Sequence, residues 1–183
     1  MDSVIEERSA ATPAARAGAA APSAAVPAAS RPMPSSGEYL ACRLGDEEYG
    51  IEILRVQEIR SYEPPTRIAG APAHVLGVVN LRGIIVPVLD LRVKFGCASA
   101  GFGPTTVVVV LRLCERTVGA VMDAVSDVLR VEAGQISPPP ELGGDAAGNG
   151  VAGIGTLSSG DRPRMLLLLD AELAVDGSDL LST

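Results

Sequence analysis

Aromatic side chains are scarce: the 183-residue chain has no Trp, two Phe and three Tyr. With 47% of its residues apolar, its core has to be built from Val, Leu, Ile and Ala. A general base or metal ligand needs polar partners. The lone histidine, His74, is flanked by Pro72, Ala73 and Val75, so it reads as a loop or helix-start residue and no metal or other cofactor is expected. The three cysteines, Cys42, Cys97 and Cys114, are odd in number and lack CxxC spacing, which argues against a disulfide framework and for a reducing, cytoplasmic setting. There is no basic excess either. The net charge is −7, and in the first 37 residues Asp2, Glu6 and Glu7 cancel Arg8, Arg16 and Arg31. The rest therefore holds the whole acidic surplus and is a poor phosphate binder, which excludes nucleic acid as the expected partner. The longest apolar runs, Met165 to Leu169 and Thr105 to Leu111, are far short of the roughly 20 residues of a membrane-spanning helix. Acidic residues stand where a secretory signal would be basic, so direct membrane insertion is not expected.

What the chain does contain is β-pattern. Residues 10–36 are almost entirely Ala, Pro, Ser and Gly, too poor in large apolar groups to offset ordering entropy. Residues 1–37 are therefore expected to be a tail. From Glu38 the texture changes. Tyr39–Leu44 and Tyr49–Ile53 alternate around the turn Gly45–Glu48, as a hairpin does. Further strands are expected at Glu58–Tyr62, Val75–Leu81, Ile84–Leu89, Thr105–Leu113, Val118–Met122, Asp127–Val131, Gly153–Leu157 and Met165–Asp170, with a closing helix from Asp170 to Leu181. The sharpest segment is Val78 to Leu91, two apolar runs around Arg82-Gly83. It reads as a hairpin with glycine at the turn and an edge position or bulge at Pro87.

The pattern also repeats. Gly50, Val56, Glu58 and Ile59 match Gly119, Val125, Asp127 and Val128 at an offset of 69. Gly77 and Leu81 match Gly153 and Leu157 at 76, and Asp90 matches Asp170 at 80. The shared order predicts one folded region over residues 38–181 made of two related lobes, from repeats at about 38–95 and 105–175. Lobes this small are marginal alone and should pack together around a groove. Asp90 and Asp170 read as helix N-caps or strand-end turns, not as a catalytic pair. The glycines at 148–155 lack the Lys-Ser/Thr of a phosphate loop. The rival reading is a small β-barrel enzyme or ligand-binding protein that uses the interlobe groove, with Asp90 or His74 as a polar contact.

These motifs together, Gly45-Asp46-Glu47-Glu48-Tyr49-Gly50-Ile51, Val56-Gln57-Glu58-Ile59, Gly77 to Gly83, Pro87 to Leu91 and Val125-Ser126-Asp127-Val128, resemble the CheW family of chemotaxis coupling proteins from about Glu38 to Asp170. The resemblance implies an all-β fold of two intertwined five-stranded SH3-like barrels with a short C-terminal helix. It also implies a non-catalytic adaptor between the cytoplasmic tip of methyl-accepting chemotaxis receptors and the regulatory domain of the histidine kinase CheA. Such an adaptor is cytoplasmic and recruited to membrane-associated receptor arrays. On the same resemblance the contact residues are Arg82, Glu58, Val56, Asn80, Gly83, Gly77, Val125 and Val128, with Glu58 and Arg82 forming a surface ion pair. Gly119 and Gly153 are structural glycines that permit bulges or close strand approach. Leu81, Ile84 and Ile85 are expected to add an apolar patch beside Arg82.

Overall fold

The computed structural model describes residues 33–97, 101–114, 116–139, 150–159 and 162–175. Its strands are β1 (Gly37–Leu44), β2 (Glu47–Glu52), β3 (Val56–Ser61), β4 (Val75–Leu81), β5 (Ile84–Asp90), β6 (Val107–Leu113), β7 (Arg116–Met122), β8 (Ala124–Val131), β9 (Ile136–Ser137), β10 (Val151–Ser159) and β11 (Arg162–Leu169). Two single-turn helices, α1 (Leu91–Lys94) and α2 (Ala171–Ala174), follow β5 and β11. One sheet runs β8-β1-β2-β11-β10-β9 and the other β3-β6-β7-β5-β4. We call them the terminal and the central barrel. Each takes a hairpin from the opposite half of the sequence: β1 and β2 complete the late strands, and β6 and β7 complete the early ones. This exchange is the intertwining expected of two SH3-like barrels.

The register reproduces the sequence repeat residue by residue. In the terminal barrel β2 runs parallel to β11 with Gly50 opposite Leu168; in the central barrel β5 runs parallel to β7 with Val88 opposite Gly119. The bulge between Val75 and Gly77 in β4 recurs between Val151 and Gly153 in β10. Asp90 N donates to the His74 carbonyl at 2.7 Å, and Asp170 N to that of Gly150 at 2.7 Å. Both aspartates are helix N-caps, accepting from the amides of Arg92 and of Glu172 and Leu173 respectively. Of the two roles left open for this pair, capping is the one observed.

Three apolar clusters hold the molecule together. The largest joins the barrels, with Leu40, Cys42 and Ile51 meeting Leu89, Val109 and Met122. Burial there pushes the Cys42 thiol up to about 12, so it stays protonated. The terminal barrel is filled around Tyr39, Leu166 and Leu168; the central barrel's buried residues are Leu81 and the valines 86, 88, 108, 110 and 121. A charged strut crosses the junction. Arg92 is 2% exposed and donates to both carboxylate oxygens of Asp90 (2.9 and 2.8 Å) and to Asp123 Oδ1 (2.8 Å). Asp123 also accepts from Gly45 N at 2.7 Å, in the β1–β2 turn. Arg92 thus ties the end of a central strand to a turn of the terminal barrel. Its hydrogen bonds to Asp90, then to Asp123, raise its pKa above the ordinary arginine value.

Some expectations change. The helix α1 and strand β9 were not anticipated, and of the closing helix only Ala171–Ala174 is observed; residues 176–181 lie outside the described residues. Pro87 is neither on an edge strand nor at a bulge: β5 lies between β4 and β7, and Pro87 pairs squarely with Val78. It is tolerated because pairing to β7 begins only at Val88, so no ladder partner is denied an N–H. Residues 33–36, which composition places in the tail, lie against the terminal barrel. Tyr39 Oη donates to the Ser35 carbonyl at 2.6 Å, and Pro34 covers Gly153.

Candidate docking face

The β4–β5 connection has only two residues, Arg82 (φ 54°) and Gly83 (φ 89°), both left-handed as a type I′ turn requires. Glycine accepts that geometry freely; arginine pays about 1–2 kcal/mol for it. Asn80 holds the turn from outside, its Oδ1 accepting from Gly83 N at 2.8 Å. Glu58 holds the arginine from β3, with Arg82 Nη2 to Glu58 Oε2 at 2.9 Å. Glu58 is 24% exposed and the guanidinium 82% exposed. β3 and β4 are the two edge strands of the central barrel and do not pair with each other, so this pair bridges the seam between them. Ile84 and Ile85, 60% and 61% exposed, stand on the same hairpin. Leu81 does not belong to that patch: it is buried in the central barrel.

The other expected contact residues sort by environment. Val128 is exposed on β8. Val56 and Val125 are half-buried against the cluster that joins the barrels, so their packing supports the junction. Gly77 has φ 143°, and a Cβ there would meet the Thr66 backbone, which pairs with Val78. Gly153 sits at the β10 bulge with Pro34 Cγ 3.0 Å from where its Cβ would be. Gly119 permits close approach without a bulge, a Cβ there meeting Val108 Cγ1 at 2.8 Å.

A second acid–arginine constellation was not anticipated. Arg164 on β11 donates to Glu48 at 2.6 and 2.8 Å and to both oxygens of Asp127 at 3.1 Å. The hydrogen bonds from Arg164 hold Glu48 below its ordinary carboxylate value. Asp127 occupies the repeat position of Glu58, and the sequence match of the two acids was the available signal. Met165 and Val128 are exposed beside it as Ile85 and Ile59 are beside Arg82.

Among the described residues, two surface cavities stand out. One, of about 230 Å³, lies in the central seam between β3 and β4, with Arg60 and Asn80 at its edge and Val86, Val108 and Val110 inside. The other, of about 240 Å³, lies among Pro34, Tyr39, Arg55 and Glu172. Neither Asp90 nor His74, the polar contacts of the enzyme or ligand-binding alternative, lines either one. No His, Cys, Asp and Glu cluster suited to a metal occurs among the described residues. No helix among them is long and apolar enough to cross a membrane.

Comparison with known proteins meets this geometry. Residues 38–178 match the family model of the CheW-like domain. The chain is 48% identical over 143 residues to the chemotaxis protein CheW of Klebsiella aerogenes, covering 78% of this chain and 84% of that one. It is 33% identical over 131 residues to the protein FrzA of Myxococcus xanthus, covering 72% and 81%. The crystal structure of the scaffolding protein TtCheW from Thermoanaerobacter tengcongensis superposes with a TM-score of 0.68 at 27% identity, over 79% of this chain and 90% of that one. Two intertwined barrels, a duplicated register and relatives of this likeness place the chain in the CheW-like domain family.

Proposed function

We propose that the chain is a non-catalytic chemotaxis adaptor whose specific partners are the cytoplasmic tip of methyl-accepting receptors and the regulatory domain of the histidine kinase CheA. The scaffold role in chemotaxis signalling follows from family membership. The identity of the partners and recruitment to membrane-associated arrays are our reading of the face built on Arg82. The observation that carries it is the conformation of that residue. A left-handed arginine costs stability, yet Asn80 and Glu58 hold it in place with its guanidinium turned to solvent. An exposed pair contributes only about 0.2–1 kcal/mol to the fold, so its value lies in presenting a planar fork of donors beside Ile84 and Ile85. Val128 and the Asp127–Arg164 constellation offer a comparable face on the terminal barrel, so one rigid body could hold two partners at once.

Coupling of this kind needs a difference in affinity between two partner states, typically about 1–3 kcal/mol. The test is co-precipitation with a receptor-tip fragment and with the kinase regulatory domain, comparing wild type with Arg82→Ala. Wild type binding both, and the variant losing at least one, is the expected outcome. Binding of neither fragment by wild type sinks the assignment.

A further inference from the structure

The cavity in the central seam has an unusual construction. Its floor is made by Val86, Val108 and Val110 with Gly119 beneath, all inward-facing in a barrel whose two edge strands never pair. Valine side chains are short, and here none reaches the middle. The terminal barrel solves the same problem differently. At the repeat position of Val108 it has Tyr39, 3% exposed, whose ring projects into its core, and at that of Val86 it has Leu166. The space left in the central barrel is about 230 Å³; an apolar cavity of about 150 Å³ already admits benzene. The seam is bridged on one side of the cavity by the pairing of Thr66 with Val78. On the other, the Glu58–Arg82 ion pair links β3 to the hairpin tip. Glu58 lies two residues from Arg60 on the same face, and Leu81 directly precedes Arg82; Arg60 and Leu81 both line the cavity.

We propose that this cavity is a socket for one apolar side chain, of leucine to phenylalanine size, from the protein partner that docks on the Arg82 hairpin. An acidic residue beside that anchor would meet Arg60 or Arg82. The proposal rests on the adaptor reading and deepens it. Three features favour a protein anchor over a free ligand. The opening is continuous with the docking hairpin, sharing Asn80 and Leu81 with it. Its mouth is open to solvent between two strand edges, so an occupant can arrive attached to a larger surface. Arg60 lines it together with Glu63, and Arg82 stands on the adjoining turn, so its rim is charged in the manner of an interface anchor and offers arginine donors to a neighbouring carboxylate. Glu58 thereby gains a second purpose: it holds the Arg82 side chain on the β3 side of the seam, next to the opening.

The experiment uses the full chain with labelled valine and leucine methyl groups. Titration with benzene is expected to shift the methyl signals of Val86, Val108 and Val110 saturably. The shift should vanish in Val108→Tyr, which transplants the plug of the terminal barrel. The same proteins are then assayed against the receptor-tip fragment and the kinase regulatory domain. Val108→Tyr and the milder Val86→Leu should weaken one of the two by about tenfold or more and leave the other within about twofold. Saturating benzene should compete with that same partner. If Val108→Tyr disorders the central barrel, Val86→Leu and the competition decide alone. Partners that bind both filled variants as tightly as wild type overturn the socket, even if benzene enters it, because the cavity then serves small apolar molecules. A wild-type chain that binds neither fragment overturns the adaptor reading and this proposal together.

Discussion

The two barrels share one register but each sets an arginine against an acid differently. On the terminal barrel, Arg164 is 24% exposed, gripped by two carboxylates and seated against β2. On the central barrel, Arg82 is 82% exposed, held by one carboxylate and strained at φ 54°. The interiors differ in the same sense: Tyr39 packs with Leu166 and Leu168 in one, and valines line a cavity in the other. The junction has two related corners as well. One is sealed by Arg92; at the repeat position of Arg92 the other has Glu172, exposed and bonded to Arg55 at 2.8 Å and to Cys114. A duplicated fold has thus specialised, with charge satisfied and packed on one side, and displayed on the other.

The largest expected break in that comparison is at the corners. Arg92→Met leaves Asp90 and Asp123 buried without their counter-charge and should cost about 3–5 kcal/mol in urea unfolding. Glu172→Ala, at the related position, should cost less than about 1 kcal/mol. Equal losses would show that the corners do not differ. Next come the bulge glycines. Gly77→Ala places a Cβ against the Thr66 backbone at a left-handed φ and should cost about 1–3 kcal/mol. Gly153→Ala meets Pro34 and the Ser137 carbonyl at milder distances of 3.0–3.2 Å and should cost less, which thermal unfolding of both variants measures.

Smaller still is Arg164→Ala, about 1 kcal/mol at neutral pH. Because Glu48 titrates below its ordinary value of 4.5, the stabilisation is fully present above that value and is lost as pH falls through the lowered one. The gap between wild type and variant should therefore narrow as pH falls through that lowered value; a gap that persists in acid means the loss was packing. The smallest effect on the fold is expected at Arg82. Arg82→Gly relieves the backbone and should leave stability unchanged or raise it by up to about 1 kcal/mol, while partner binding is lost. A variant that loses binding in step with melting temperature would undo the contrast between the two arginines.

Much of the site was legible locally. Two apolar runs around Arg82-Gly83 specify a two-residue turn, because only that turn matches strand twist with glycine second. Asp90 and Asp170, each closing an apolar run, read as helix N-caps or strand-end turns, and the first of these is what the structure has. Other features were hidden because they depend on partners far away in the chain. Arg164 meets Glu48 across 116 positions and Arg92 meets Asp123 across 31; in sequence each is merely a polar residue among apolar ones. The four residues of α1 are too few to show a period. Alternation gives a strand's faces but not its neighbour, so Pro87 read as an edge position or a bulge when it lies in an interior strand, regularly paired. The seam cavity was out of reach for a related reason: Val108 and Tyr39 both read as inward residues, and only their reach into the middle distinguishes them.

The exchange of hairpins has a consequence for how the chain acquires its shape. Because β1 and β2 close a barrel whose remaining strands come from the second half of the sequence, and β6 and β7 close the other, neither half contains a complete hydrophobic interior. Synthesis must proceed past β7 before the central barrel can close and past β11 before the terminal one can, and because the apolar cluster at the junction draws on both barrels, the two are expected to unfold together. Two polypeptides divided between β5 and β6 should each be shapeless alone and become a working adaptor only on mixing.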